Sequence, residues 1–200
     1  EFPTAHRASF DTFSDAVAAL RGEKVDCVIG SYTSMLNYAL NDPGLALLPD
    51  RLTDEPNAIA VRKGNTELLG KLDGVLEKFK KDGTLAAIEK RWLRDSLVPY
   101  KPVKVPSHGP DAPALRVAIA ADREPVCFLL NNAYAGLDCE LIERVAYELG
   151  MRVEYQNMKF AGLIASLQSG KSDLIIANMI RTAERAKSVD FTTDYFTNPQ

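Results

Sequence analysis

Histidine is scarce: His6 and His108 are the only two in 200 residues. One lies near the start and the other in a proline-rich stretch, so a histidine-based triad or metal cluster would have to draw on badly placed residues. The three cysteines, Cys27, Cys127 and Cys139, are odd in number and form no Cys-x-x-Cys, which leaves zinc and redox motifs without support. No apolar run approaches the roughly 20 residues that span a bilayer. Lys and Arg total 24 against 27 Asp and Glu, giving a net charge of -3. That balance offers no basic footprint for nucleic acid. The glycines form neither a Gly-x-x-x-x-Gly-Lys-Ser/Thr loop nor a Gly-x-Gly-x-x-Gly turn, and no Gly-x-Ser-x-Gly elbow is present. Carboxylates are plentiful, but nothing singles out a pair for acid-base work. Neither an enzyme nor a cofactor is expected.

What is present is a chain 46% apolar, long enough to build one large or two smaller cores. Phe13, Ala16, Val17 and Leu20 recur at helical spacing, and Gly22 ends that helix before the apolar run Val25 to Ile29, which suits a buried parallel strand with Cys27 as a small core residue. Leu36 to Leu40 predict a helix stopped near Pro43-Gly44. Ala58 to Val61 read as a strand. Glu67 to Lys81 read as a helix with Leu68, Leu69, Leu72, Val75, Leu76 and Phe79 on its apolar side, broken by Gly83 before a last helix over 84–92.

Between Val98 and Pro113 stand Pro99, Pro102, Pro106, Pro110 and Pro113, a stretch unable to donate a regular ladder, which reads as a linker. Beyond it, strands are expected over 115–120, 153–155 and 174–177, with helices over 137–149 and 160–167. This alternation predicts a mostly parallel sheet flanked by helices. Phe13, Leu20 and Asp26 also repeat the spacing of Phe160, Leu167 and Asp173, as two similar helix-turn-strand units would.

Several runs carry a resemblance. Ala135-Gly136-Leu137-Asp138-Cys139-Glu140-Leu141-Ile142, Phe160-Ala161-Gly162-Leu163-Ile164, Ile180-Arg181-Thr182-Ala183-Glu184-Arg185 and Val189-Asp190-Phe191-Thr192-Thr193-Asp194-Tyr195 together resemble the first lobe of a family 3 bacterial extracellular solute-binding protein. Earlier, Leu20 to Asp26, Ala58 to Asn65, Asp82 to Leu85 and Arg91-Trp92-Leu93 resemble the later part of the second lobe. The order is reversed relative to one such domain, so the chain reads as a window across two tandem domains, both incomplete. Residues 1–96 would be the remainder of an upstream second lobe with its terminal helices, 97–113 the linker, and 114–200 a downstream first lobe. A circular permutant is the rarer alternative. The resemblance implies type II periplasmic-binding-protein clamshell lobes. It also implies export, under which Cys127 and Cys139 would pair if their Cβ atoms converge.

In parallel α/β sheets ligands collect beyond the carboxyl ends of the strands, here after Ala120, Tyr155 and Ala177. The resemblance places Arg185 where the family grips a ligand α-carboxylate through two parallel charge-assisted bonds. Phe160 matches an aromatic that packs on the ligand; an equally open reading puts it on the apolar face with Leu163 and Leu167. Asn178 matches the position whose carbonyl accepts from the ligand ammonium. Ile180 stands where amino-acid binders usually carry Ser or Thr, Arg123 near a common aromatic position, Ala120 where some members place an acid, and Ser31 at a second-lobe position that often holds Asp. Ala120 and Arg123 make this rim more positive and less acidic and admit an anionic or modified ligand, while Ile180 and Ser31 take away a hydroxyl and a carboxylate that amino-acid binders often use.

The function this implies is extracytoplasmic binding of a small polar solute, an amino acid or related carboxylate, at the periplasmic or outer face of the cytoplasmic membrane. An ABC permease or fused membrane domain would be the partner. Two other uses stay open: the ligand-sensing domain of a transmembrane receptor such as a sensor histidine kinase, and a module attached to a peptidoglycan-cleaving enzyme.

Overall fold

The computed structural model describes residues 4–48, 53–94, 100 and 103–199. The linker prolines Pro99 and Pro102, and the expected boundary at 96–97, lie outside the described residues.

Helix α1 (Phe13–Arg21) starts where Thr12 caps it, its Oγ1 accepting from the Asp15 N–H at 3.1 Å. Helix α2 (Tyr32–Asn41) follows. Strands β1 (Asp54–Asn57) and β2 (Ala60–Arg62) lead into α3 (Thr66–Lys81), capped by the Asn65 side chain. Gly83, at φ 82°, turns the chain into α4 (Thr84–Glu89), and a π-helical turn, Lys90–Arg94, closes this half. The second half runs β3 (Ala114–Ile119), the hairpin β4 (Phe128–Leu130) and β5 (Ala133–Ala135), α5 (Leu137–Glu148) and β6 (Arg152–Asn157). A 3₁₀ turn, Phe160–Gly162, precedes α6 (Leu163–Gln168), and β7 (Leu174–Ile175), α7 (Ala183–Ala186), β8 (Val189–Phe191) and β9 (Phe196–Pro199) complete it.

Five strands form the central sheet in the order β6-β3-β7-β2-β8. The pairings of β3 with β6 and β7 are parallel, with Leu115 opposite Val153 and Val117 opposite Leu174. Those of β2 with β7 and β8 are antiparallel. The sheet is therefore mixed, where a mostly parallel one was expected. The reason is β2, which enters from the early half of the chain without a crossover helix from either neighbour and so is free to run the other way. Strand β1 pairs with β9 in the same cross-chain manner.

Side-chain alternation sorts the core into two layers. Ile59, Val61, Leu115, Val117, Ile119, Leu174 and Ile176 face α3, α4 and α5, meeting Leu72, Leu76, Ile88, Leu141 and Val145. Ala60, Ala118, Ala120, Ile175 and Ala177 face the other way, against Leu163 and Leu167 of α6. The small residues on that side let α6 approach closely.

Two expectations fail in the first half. Residues 25–29 form no strand, Cys27 is exposed and Ile29 is 57% exposed. No described strand lies beside this run, and a strand without a neighbour has no ladder to hold it. The similar spacing after Phe160 does lead to β7, because β3 stands there to pair with it.

Candidate functional site

The carboxyl ends of β6, β3 and β7 lie side by side, and the loops after them converge. The Ala121 N–H, just after β3, donates to Asn157 Oδ1 at the end of β6 at 3.0 Å, tying two of these loops together. The β3 loop delivers Arg123, the β6 loop Phe160, and the β7 loop Asn178, Ile180 and Arg185.

Asn178 sits at φ 49°, a left-handed conformation that Asn tolerates better than most residues. That geometry turns its N–H onto Asp138 Oδ2 at 2.6 Å, while its Nδ2 reaches Ser31 Oγ at 3.4 Å. Ser31, 4% exposed, also shares a hydrogen bond with Thr33 at 2.9 Å. Asn178 Oδ1 is buried without a hydrogen-bond partner. Four residues later Thr182 caps α7, accepting from the Arg185 N–H at 3.2 Å. The Arg185 side chain folds back and donates from Nη1 to the Ile180 carbonyl at 2.8 Å. It is half-buried, whereas Glu184 and Lys187 pair with each other in solvent. Burial pulls the Arg185 pKa down from its ordinary value, opposed by the charge of Glu55.

Phe160 is the meeting point. The Arg123 guanidinium carbon lies 4.2 Å from its ring centroid and that of Arg185 5.2 Å, both within cation–π range. Phe13, from α1, covers Arg123 at 5.3 Å. Phe160 is partly buried against the α6 side of the core, as its reading on the apolar face with Leu163 and Leu167 expects, while its ring also carries the two guanidinium contacts. Burial lowers the Arg123 pKa, against the opposing charges of Asp122 and Asp138. A cleft of about 250 Å³ adjoins this column, with Phe13, Ser34, Tyr38, Asp122, Arg123 and Glu124 among its walls.

All six expected site residues, Ser31, Arg123, Phe160, Asn178, Ile180 and Arg185, thus fall in one neighbourhood, linked by the contacts given above. Sequence reasoning passed over three others. By its spacing Phe13 belongs to the apolar face of α1. Asp138, at the start of α5, is fully buried and holds Asn178 N–H on one oxygen and the Tyr195 hydroxyl on the other at 2.8 Å. Burial pushes its pKa up to about 7, against those two hydrogen bonds and the Arg123 charge. Tyr195 is buried with it. Asp138 next to Leu137, in the run leading to Leu141 and Ile142, was the available signal: an acid in so apolar a setting requires partners.

The β7 loop is also braced from the early half of the chain. Ala58 N–H donates to the Met179 carbonyl at 3.2 Å, Arg181 N–H to the Pro56 carbonyl at 3.0 Å, and Asn57 bridges Ile180.

A mixed α/β sheet whose strand-end loops bring Arg123, Phe160, Asn178 and Arg185 together beside a cleft has the architecture in which α/β proteins place their ligand sites. The chain belongs to the bacterial extracellular solute-binding proteins, family 3, whose profile matches residues 6–95 and 115–200. Among curated relatives, a protein of Campylobacter jejuni named "Probable histidine-binding protein" is 39% identical over 82 residues, 41% of this chain and 32% of that protein. The arginine-binding extracellular protein ArtP of Bacillus subtilis is 36% identical over 83 residues, 42% of this chain and 32% of its own length. The chain spans about a third of the length of these relatives. Among solved structures, an ancestral arginine-binding protein bound to glutamine is 44% identical, with a TM-score of 0.41 over 42% of this chain and 37% of that one.

Proposed function

We propose that this chain is the ligand-gripping part of an extracytoplasmic binding protein that captures an amino acid or related carboxylate for ABC-type uptake. It would work at the periplasmic or outer face of the cytoplasmic membrane, with an ABC permease or fused membrane domain as partner, and by binding alone, without catalysis. The observation that carries this reading is the placement of Arg185. One Nη is fixed on the Ile180 carbonyl beside the Phe160 ring. The rest of the fork is then free to take a carboxylate in two parallel bonds. Asn178 Oδ1, buried and unpaired beside Ser31, supplies an acceptor for an ammonium group. Relatives named for binding histidine and arginine support the ligand class.

The two separate stretches matched by the family profile support a further part of the reading. Residues 1–96 and 114–200 derive from successive modules joined by 97–113, and the first lends the second β2, α3 and α4. The exchange resembles domain swapping within one chain.

The test is thermal unfolding of the chain against a panel of amino acids. A ligand at a hundred times its dissociation constant stabilises by about 2.7 kcal/mol, which raises the midpoint by roughly 5 to 10 °C at this size. Arg185→Ala should abolish the shift and keep the fold. No shift with any amino acid, or an Arg185→Ala variant that binds as the parent does, overturns the proposal.

A further inference from the structure

Arg123 is the group in the cleft that capture of a neutral or cationic amino acid does not require. Its guanidinium lies between Phe13 and Phe160, so the aromatic faces that would receive a cationic or apolar ligand side chain are already covered by a cation of the protein. Arg185 shares the Phe160 ring, and two positive charges therefore stand at one end of the site.

The surrounding carboxylates offset part of this charge but leave Arg123 Nε without a hydrogen-bond acceptor. Asp138 is engaged on both oxygens by Tyr195 and Asn178. Asp122 is the counter-ion of Arg123, its Oδ1 3.6 Å from Nε, which is too long for a hydrogen bond, and both atoms are buried without a hydrogen-bond partner. Glu124 lies beside Asp122 on the wall of the adjoining hollow. Glu55 acts on Arg185 through its charge, and the Thr53 hydroxyl donates to it. An arginine whose side chain is 15% exposed and whose Nε is unsatisfied offers a donor to an incoming anion, and a second cation brought to it would meet like charge.

Resting on the amino-acid reading of this cleft, we propose that the ligand is an acidic amino acid, its α-carboxylate held by Arg185 and its side-chain carboxylate by Arg123, and that cationic amino acids are rejected. The site thereby parts from the relatives named for arginine and histidine.

Titration calorimetry of the 200-residue chain with L-glutamate, L-aspartate, L-glutamine and L-arginine tests this. Glutamate or aspartate should bind at least tenfold tighter than glutamine, which is 1.4 kcal/mol, and arginine should give no heat of binding. In Arg123→Gln that preference should fall to within about twofold, since glutamine makes no use of the lost charge, while Arg123→Lys keeps the ranking. Glutamine or arginine binding tightest overturns the class assignment and leaves the amino-acid reading standing. Binding of none of the four overturns the class assignment, and the amino-acid reading falls with it if the full amino-acid panel also gives no thermal shift. An Arg123→Gln variant that folds and retains the tenfold preference removes Arg123 from the site.

Discussion

Trp92 Nε1 donates to Glu140 Oε2 at 2.7 Å across 48 residues of sequence, joining the π-helical turn that ends the early half of the chain to α5 in the late half. Glu140 is 3% exposed, and its other oxygen accepts from Arg91 and from Arg144 Nε and Nη2. A buried carboxylate so fully paired is stable where it stands, and its removal leaves four donor groups, from Trp92, Arg91 and Arg144, without their acceptor. Glu140→Ala should cost about 2–4 kcal/mol, below the fully buried limit because Arg91 and Arg144 reach solvent. Trp92→Phe, which removes one donor and keeps most of the packing, should cost less, about 1–2 kcal/mol. Urea denaturation of both variants checks the order; equal, small losses would show that the contact is incidental.

Gly136 is required by two independent constraints. Its φ is 119°, and a Cβ built there would lie 2.3 Å from the Val126 carbonyl oxygen, a backbone atom that cannot swing aside. The close approach lets the Asp138 N–H reach the Val126 carbonyl at 2.9 Å, which sets the start of α5 and with it Asp138. Gly136→Ala should destabilise by more than about 3 kcal/mol and weaken ligand binding, whereas Gly74→Ala, in open space within α3, should be neutral or stabilising by up to about 1 kcal/mol. Comparable denaturation midpoints for the two would refute the steric argument.

These cases show which parts of the molecule could be read from the sequence. Periodicity located α1, α3, α5 and α6 because each buries one stripe against a sheet, and the stripe is written into spacing. Arg185 and Phe160 were visible through the runs that contain them. What spacing could not convey was which strand pairs with which. Val25 to Ile29 has the composition of a buried strand and is left unpaired, while Ala60 to Arg62 enters a sheet built by residues more than fifty positions away. The hairpin at 128–135 escaped notice because its turn, Asn131-Asn132, takes positive φ at both residues, a turn signal without flanking alternation. Asp138 and Phe13 were hidden for a related reason: their roles depend on tertiary partners.

Asp138 makes stability depend on pH in a defined direction. Its folded-state pKa, about 7, lies above the ordinary 3.8, so its contribution is full below about pH 4 and is lost as pH rises through 7. Asp190 acts in the opposite sense, since the Lys63 side chain and the Gly64 N–H hold its pKa down. The comparison is therefore made against Asp138→Asn, which carries no titration at this position. Between pH 4 and 7 the parent should lose up to about 1.4 kcal/mol per pH unit relative to the variant. Parallel stability curves would mean that Asp138 stays ionised throughout.

Cys127 Sγ and Cys139 Sγ lie 3.3 Å apart and buried, while Cys27 is exposed. Closing the remaining gap to the roughly 2.05 Å of a disulfide needs only a small shift. The hydrogen bond with the Cys139 thiol and, after it, burial raise the Cys127 pKa, so reaction with a small oxidant should be slow unless local opening admits it. Treatment with oxidised glutathione followed by alkylation and mass analysis should give a species two hydrogens lighter, labelled at Cys27 alone. Labelling of all three cysteines after prolonged oxidation would show that the pair does not close.

The early half of the chain also holds the loop after β7 in place. Strand β2 lies between β7 and β8, Ile59 N–H reaches Thr192 Oγ1 at 3.0 Å, and Pro56 to Ala58 brace Met179 to Arg181. Removing it leaves β7 and β8 without a partner between them and exposes the layer formed by Leu174, Ile176 and Leu141. Residues 103–199 produced alone should therefore fail to show a cooperative thermal transition. Supplying residues 53–102 as a separate fragment should restore the transition and, with it, ligand-dependent stabilisation. A lone 103–199 fragment that unfolds cooperatively and still binds would mean that the inserted strand is dispensable and that Arg185 is positioned by its own loop.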